Sequence, residues 1–124
     1  MRHKESEEMY LETILLLQKK NGYARCVDIA TKLGYSKASV SRAMKLLSSK
    51  NYITLGKHSE VLLTDIGQAQ AEKVYETHRI IMDLLMLLGA DKTLAEENAC
   101  RIEHVISDEL LKLIKKHLTN IKPC

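Results

Sequence analysis

Near the C-terminal end of the chain stand Cys100, Glu103 and His104. On a helix, positions i, i+3 and i+4 share one face, so these three side chains would lie within reach of one ion. A thiolate, a carboxylate and an imidazole form a donor set of mixed softness. It suits a first-row divalent cation such as Fe²⁺, Mn²⁺, Co²⁺, Ni²⁺ or Zn²⁺. Taken alone, such a triplet is more often a core cysteine beside a surface Glu-His pair. Further donors stand elsewhere: Met9 and Glu12, three residues apart near the N-terminus, and His78 in mid-chain. Met9 by itself reads as core. Cys100 and His104 also have the types of a nucleophile and its base. No glycine-rich phosphate loop or obvious oxyanion donor accompanies them, and a short chain leaves little room for a substrate pocket, so a non-enzyme is expected.

The elements that must carry these donors can be read from start and stop signals. Residues 6–20 open with Ser6 and acids and close with lysines before Asn21-Gly22, which predicts a helix with Leu11, Ile14 and Leu15 on its buried stripe. Two short helical patterns follow, Arg25–Leu33 with Val27, Ile29, Ala30 and Leu33 inward, and Lys37–Lys50 with Val40, Ala43, Met44 and Leu47 inward. Gly34-Tyr35-Ser36 separates them, and Ser36 is suited to cap the second. That is a helix-turn-helix. Residues 52–63 switch to two β-branched apolar runs around Gly56-Lys57-His58-Ser59, which predicts a hairpin. A helix-turn-helix followed at once by a hairpin is a winged helix. Thr64 or Asp65 can cap a long helix over 65–88. After a break at Gly89–Lys92, Thr93 can cap a last helix from about Leu94 to Leu118. The expected architecture is mainly α with a small β-hairpin wing: a winged helix-turn-helix domain at 1–64, then a helical metal-binding and dimerisation domain at 65–124.

At 124 residues, with 45% hydrophobic and 28% charged residues, the chain fits a single domain, or one small domain with an appendage, and is no disordered tail. Aromatics are 4%, all Tyr, which argues against stacking on single strands. No apolar run reaches membrane-spanning length and the N-terminus is too charged for a signal peptide, so no membrane partner and a cytoplasmic location are expected. Cys26, Cys100 and Cys124 show no paired spacing, as in a reducing compartment. The net charge of +3 is unevenly spread. Residues 1–64 hold 11 Lys/Arg against 6 Asp/Glu, and residues 65–124 hold 8 against 10, the pattern of a polyanion reader joined to something else. Leucines at 84, 85, 87, 88, 110, 111 and 113, with Ile114, exceed what a lone helical hairpin covers, so a homodimer is expected.

The segments E-M-Y-L-E-T-I at 8–14 and N-A-C-R-I-E-H-V-I-S-D-E-L at 98–110 resemble the diphtheria toxin repressor family of metal-dependent regulators, which includes the manganese transport regulators. The resemblance runs over essentially the whole chain. It implies that Met9, Cys100, Glu103 and His104 form the activating site of the iron-responsive branch. Glu12 and His78 match positions that ligate metal in the manganese branch, and His78 also matches the ancillary site of the iron branch. Met82, with Asp83 beside it, stands where that branch has a carboxylate, and Glu96 where it has a histidine. An ancillary site would therefore be rebuilt from His78, Glu96 and Asp83, weakened, or absent. The extra SH3-like domain of the iron branch is missing from this sequence, as in the short manganese regulators.

The thioether and thiolate favour Fe²⁺ over Mn²⁺, with Co²⁺, Ni²⁺ and Zn²⁺ expected to bind in vitro. On the DNA side, Ser36, Lys37, Ala38, Ser39 and Arg42 occupy the start of the expected recognition helix. Arg42 is placed to read guanine and Ser39 a base edge or phosphate, while Arg25, Lys45, Lys50 and Lys57 are candidates for phosphates. The expected function is a metal-activated repressor of double-stranded operator DNA, metal clamping the first helix to the dimerisation domain. The competing expectation is a winged-helix regulator that senses thiol redox state through Cys26 or Cys100.

Overall fold

The computed structural model describes residues 2–121. Cys124 lies outside them. The elements are α1 (Arg2–Asn21), α2 (Cys26–Leu33), α3 (Lys37–Ser49), β1 (Ile53–Leu55), β2 (Val61–Leu63), α4 (Asp65–Leu87), α5 (Lys92–Ile102) and α6 (Asp108–Ile121). The chain forms two compact units that meet between Glu72 and Lys73, inside α4. The boundary expected from the sequence lies earlier, at 64/65.

In the first unit, α1, α2, α3 and the hairpin share an aliphatic core of Leu11, Ile14, Leu15, Ile29, Val40, Met44, Leu47, Ile53 and Val61. Gly34 ends α2 in the left-handed region at φ 72°, its N–H bonded to Ala30 O, and Ser36 Oγ accepts from Ser39 N to start α3. One inward residue differs from expectation: Val27 is 45% exposed. The stripe of α2 instead runs through half-buried Cys26, Ile29, Ala30 and half-buried Leu33, the i, i+3, i+4, i+7 set that starts one residue earlier.

The hairpin pairs Ile53 with Leu63, Thr54 with Leu62 and Leu55 with Val61, antiparallel. A short third run joins it: Val61 N donates to Ala24 O at 2.8 Å, Cys26 N to Ser59 O at 3.2 Å, and Arg25 bridges Glu60. Thr64 knots the hairpin to α4. Its Oγ1 lies 2.6 Å from Asn51 O and 3.1 Å from Tyr52 O, and accepts from Gly67 N at 3.1 Å. That bond caps α4.

In the second unit, Val74, Thr77, His78 and Ile81 of α4, Ala95 and Ala99 of α5, and Leu118 of α6 are buried. Asp91, rather than Thr93, caps α5, accepting from Leu94 N at 2.8 Å. The single last helix expected to Leu118 is two. Residues 103–107 leave the α-helix, and Ser107 restarts it, Leu110 N donating to Ser107 Oγ at 3.2 Å ahead of Asp108 and Glu109. Lys115 pairs with Glu76 at 2.8 Å and Lys73 with Asp108 at 3.7 Å, linking α6 to α4. Among the described residues, no helix is long and apolar enough to cross a membrane.

Candidate metal centre

His78 is the hub of the donor cluster in the second unit. It sits on the inner face of α4, 7% exposed, with each ring nitrogen against a different carboxylate. Nε2 lies 3.1 Å from Glu96 Oε2, and Cys100 Sγ lies 3.8 Å from Glu96 Oε1. One ligand atom from each of His78, Glu96 and Cys100 falls within 4.8 Å of the others. Glu96 and Cys100 are one turn apart on α5 and exposed, which keeps this side of His78 open to solvent.

On the other side, His78 Nδ1 lies 2.9 Å from Glu103 Oε2, and Glu103 Oε1 lies 3.3 Å from His104 Nε2. Glu103 is 7% exposed. It remains in the right-handed helical region, its N–H bonded to Ala99 O at 2.9 Å, so it keeps the inward face of α5 at the point where the helix ends. His104 already belongs to the turn. The helical spacing of Cys100, Glu103 and His104 thus ends on two sides of His78: Cys100 with Glu96, His104 with Glu103.

The His78–Glu103 contact is close but poorly aligned for a hydrogen bond. Both atoms are buried, and among the described residues neither has a hydrogen bond of good geometry. The Glu103 carboxylate, reinforced by Glu96 and opposed by burial, pushes the His78 imidazole up to about 9. These carboxylates therefore favour the protonated imidazole at neutral pH. Carboxylates on both sides of an imidazole, with a thiol and a second imidazole adjacent, fit a divalent transition-metal ion.

Two other prospective ligands stand much earlier in the sequence. Met9 and Glu12 occupy α1 in the first unit, both half-buried, with Met9 O accepting from Thr13 Oγ1 at 2.8 Å. Asp83 is exposed on α4 and is not among the donors grouped with His78, Glu96 and Cys100. Cys26 is half-buried at the start of α2, and burial pushes its thiol up. That direction is opposite to what a reactive thiolate needs.

The recognition-helix candidates gather at the start of α3. Ser36, Lys37, Ala38, Arg42 and Lys45 are exposed and Ser39 is half-buried. Ser36 Oγ, Ser39 Oγ and Arg42 Nη2 form a chain of contacts at 2.9 and 3.3 Å, which steers the guanidinium over the N-terminal turn. Lys57 is exposed at the hairpin tip, where Ser59 takes a left-handed φ of 62°. The guanidinium of Arg25 stacks on Tyr23, 4.8 Å from the ring centre. Lys50 pairs with Glu7. Sequence reasoning missed Ser107 as a cap, although a serine followed by two acids is a helix-start signal. It also missed Tyr35 beside Met9, a contact between residues 26 apart that no local pattern announces.

Comparison with known proteins matches this arrangement. Residues 3–61 match the family model of the iron dependent repressor N-terminal DNA binding domain, and residues 64–124 that of the iron dependent repressor metal binding and dimerisation domain. An uncharacterised HTH-type transcriptional regulator of Methanocaldococcus jannaschii is 32% identical over 120 residues, 95% of this chain and 96% of that one. The transcriptional regulator MntR of Escherichia coli is 34% identical over 102 residues, 82% of this chain and 66% of MntR. The structure of the manganese regulator SloR superposes with a TM-score of 0.81 at 31% identity, over 95% of this chain and 55% of SloR. The chain thus spans about half of SloR and about two thirds of MntR. The chain belongs to the iron-dependent repressor family, the metal-dependent transcriptional regulators of the diphtheria toxin repressor and MntR type.

Proposed function

We propose that this protein is a homodimeric repressor that binds double-stranded operator DNA when loaded with a divalent metal, and so controls metal-ion homeostasis. The observation that carries the reading is the His78 hub, with the buried Glu103 carboxylate 2.9 Å from Nδ1 and the exposed Glu96 carboxylate, itself beside the Cys100 thiol, 3.1 Å from Nε2. Met9, Glu12, His78, Cys100, Glu103 and His104 would hold the ion, with Glu96 as a contributor to an ancillary position and Asp83 the weakest candidate. A bound divalent cation supplies the positive charge that lets these carboxylate, thiolate and imidazole donors converge. By ligating from α1, Met9 and Glu12 clamp the DNA-binding domain to the dimerisation domain. The clamp sets the separation of the two recognition helices of a dimer, which must be roughly 34 Å to meet one face of the duplex. Metal and DNA then favour the same state, so each tightens the other by the same factor.

Ligand chemistry points to Fe²⁺ over Mn²⁺, because a thioether and a thiolate are softer than the donors a manganese site needs. In the complex, Arg42 reads a base edge with Ser39 beside it, Ser36, Lys37 and Ala38 approach the groove, and Arg25, Lys45 and Lys57 meet phosphates. The test is fluorescence anisotropy of metal-stripped protein on a labelled duplex selected from random sequence, at fixed salt. Anaerobic Fe²⁺ should tighten binding at a lower free concentration than Mn²⁺. His104→Ala should abolish that tightening and leave the dimer intact. Metal-independent binding by the unaltered protein would reject the clamp, and tightening by Mn²⁺ first would reject the iron preference.

A further inference from the structure

Met9 has a contact that the metal reading does not use. The Tyr35 hydroxyl donates to Met9 Sδ at 3.9 Å. The Tyr35 ring meets the ring of Tyr10 edge-on, with centroids 6.2 Å apart and planes at 65°. Tyr10 is buried and next to Met9 in the chain. The backbone N–H of Tyr35 donates to Ala30 O at 3.1 Å, directly after the left-handed Gly34. Ring and backbone are both anchored, so the hydroxyl has a defined position although the residue is 45% exposed.

A methionine side chain has three free torsions and is the most adaptable of the apolar side chains. Ordering it at the moment of metal binding costs side-chain entropy unless it is already held. A thioether sulfur is a weak acceptor. Its two lone pairs allow it to receive the tyrosine hydroxyl on one side and face a cation on the other.

We propose that Tyr35 is a positioning residue that holds the Met9 thioether ready for a divalent cation, and that it ties this ligand to the turn between α2 and α3. The inference rests on Met9 being a ligand, as proposed above. It goes further in assigning a role to a residue of the helix-turn-helix turn. Ser36, the next residue, caps α3. A single side chain therefore connects the prospective soft ligand to the start of the recognition helix.

The test is a double-mutant cycle on the full chain, using Tyr35→Phe, Met9→Leu and the pair. Co²⁺ affinity is read from its visible absorption and Mn²⁺ affinity from electron paramagnetic resonance. Phe keeps the ring contact to Tyr10 and removes only the hydroxyl. Tyr35→Phe should weaken Co²⁺ by about three- to tenfold, the effect of losing one pre-ordered side chain. Mn²⁺, which gains little from a thioether, should change by less than about twofold. In the Met9→Leu background, Tyr35→Phe should have no further effect on either metal. Equal losses for both metals, or a loss that persists without Met9, would mean that Tyr35 only supports the fold. An unchanged Co²⁺ affinity in Tyr35→Phe, with Met9→Leu still weakened, would overturn the positioning role alone. An unchanged affinity in Met9→Leu would instead remove Met9 from the ligand set and the inference with it.

Discussion

Met9 and Cys100 are the soft donors of the proposed site, and metal choice should follow them. Replacing them together, Met9→Asp with Cys100→Glu, should move the ratio of Mn²⁺ to Co²⁺ affinity toward manganese by about tenfold or more, measured by competition titration of the stripped protein. An unmoved ratio would show that geometry around His78, rather than donor softness, selects the ion. The donor types were legible in the sequence, because cysteine, glutamate and histidine one turn apart can be recognised without a fold. Their grouping was not. Helical spacing puts Cys100, Glu103 and His104 on one face, whereas in the structure Glu103 meets Nδ1 of His78 with His104 behind it, and Cys100 meets Glu96, the carboxylate on Nε2. That sorting depends on how α4 and α5 pack, which no local pattern encodes. Glu96 entered only as a departure from a family pattern, yet it touches both His78 and Cys100.

At the scale of elements, the entry to α4 depends on one glycine. A Cβ on Gly67 would lie 1.9 Å from Tyr52 O, a backbone atom with no freedom to move aside. Gly67→Ala should destabilise the protein by about 3 kcal/mol, read as a lower urea midpoint, and should loosen the hairpin that Thr64 ties down. A midpoint within error of the parent would mean that the α4 entry can shift. The winged helix was readable in advance because its signals are local: a glycine stop, a serine cap, and a change of period at Tyr52. The break between α5 and α6 carries a weaker signal, Ser107 ahead of two acids, masked because apolar residues continue through 102–114 and no glycine or proline interrupts them. Glu103 and His104 sit at that break. The turn begins at Glu103, which caps the C-terminal end of α5 and lies buried against His78.

For the whole molecule, charge and exposed apolar surface divide the labour. Basic residues gather with the recognition helix, while Leu87, Leu88, Leu94, Leu110 and Leu113 of the second unit are 50–74% exposed. Exposed leucines in that number call for a partner surface, and a second copy of a metal binding and dimerisation domain supplies one. Leu113→Glu should convert a dimer to a monomer in sedimentation experiments without loss of helical circular dichroism, and should remove operator binding with it. A dimer that survives would place the interface elsewhere. Those same leucines also bear on how the regulator behaves in a cell. If two chains must meet before either can grip an operator, occupancy rises with the square of protein concentration wherever the monomer prevails. A halved gene dose would then cut repression by more than half, and expression level would act as a second threshold beside the metal.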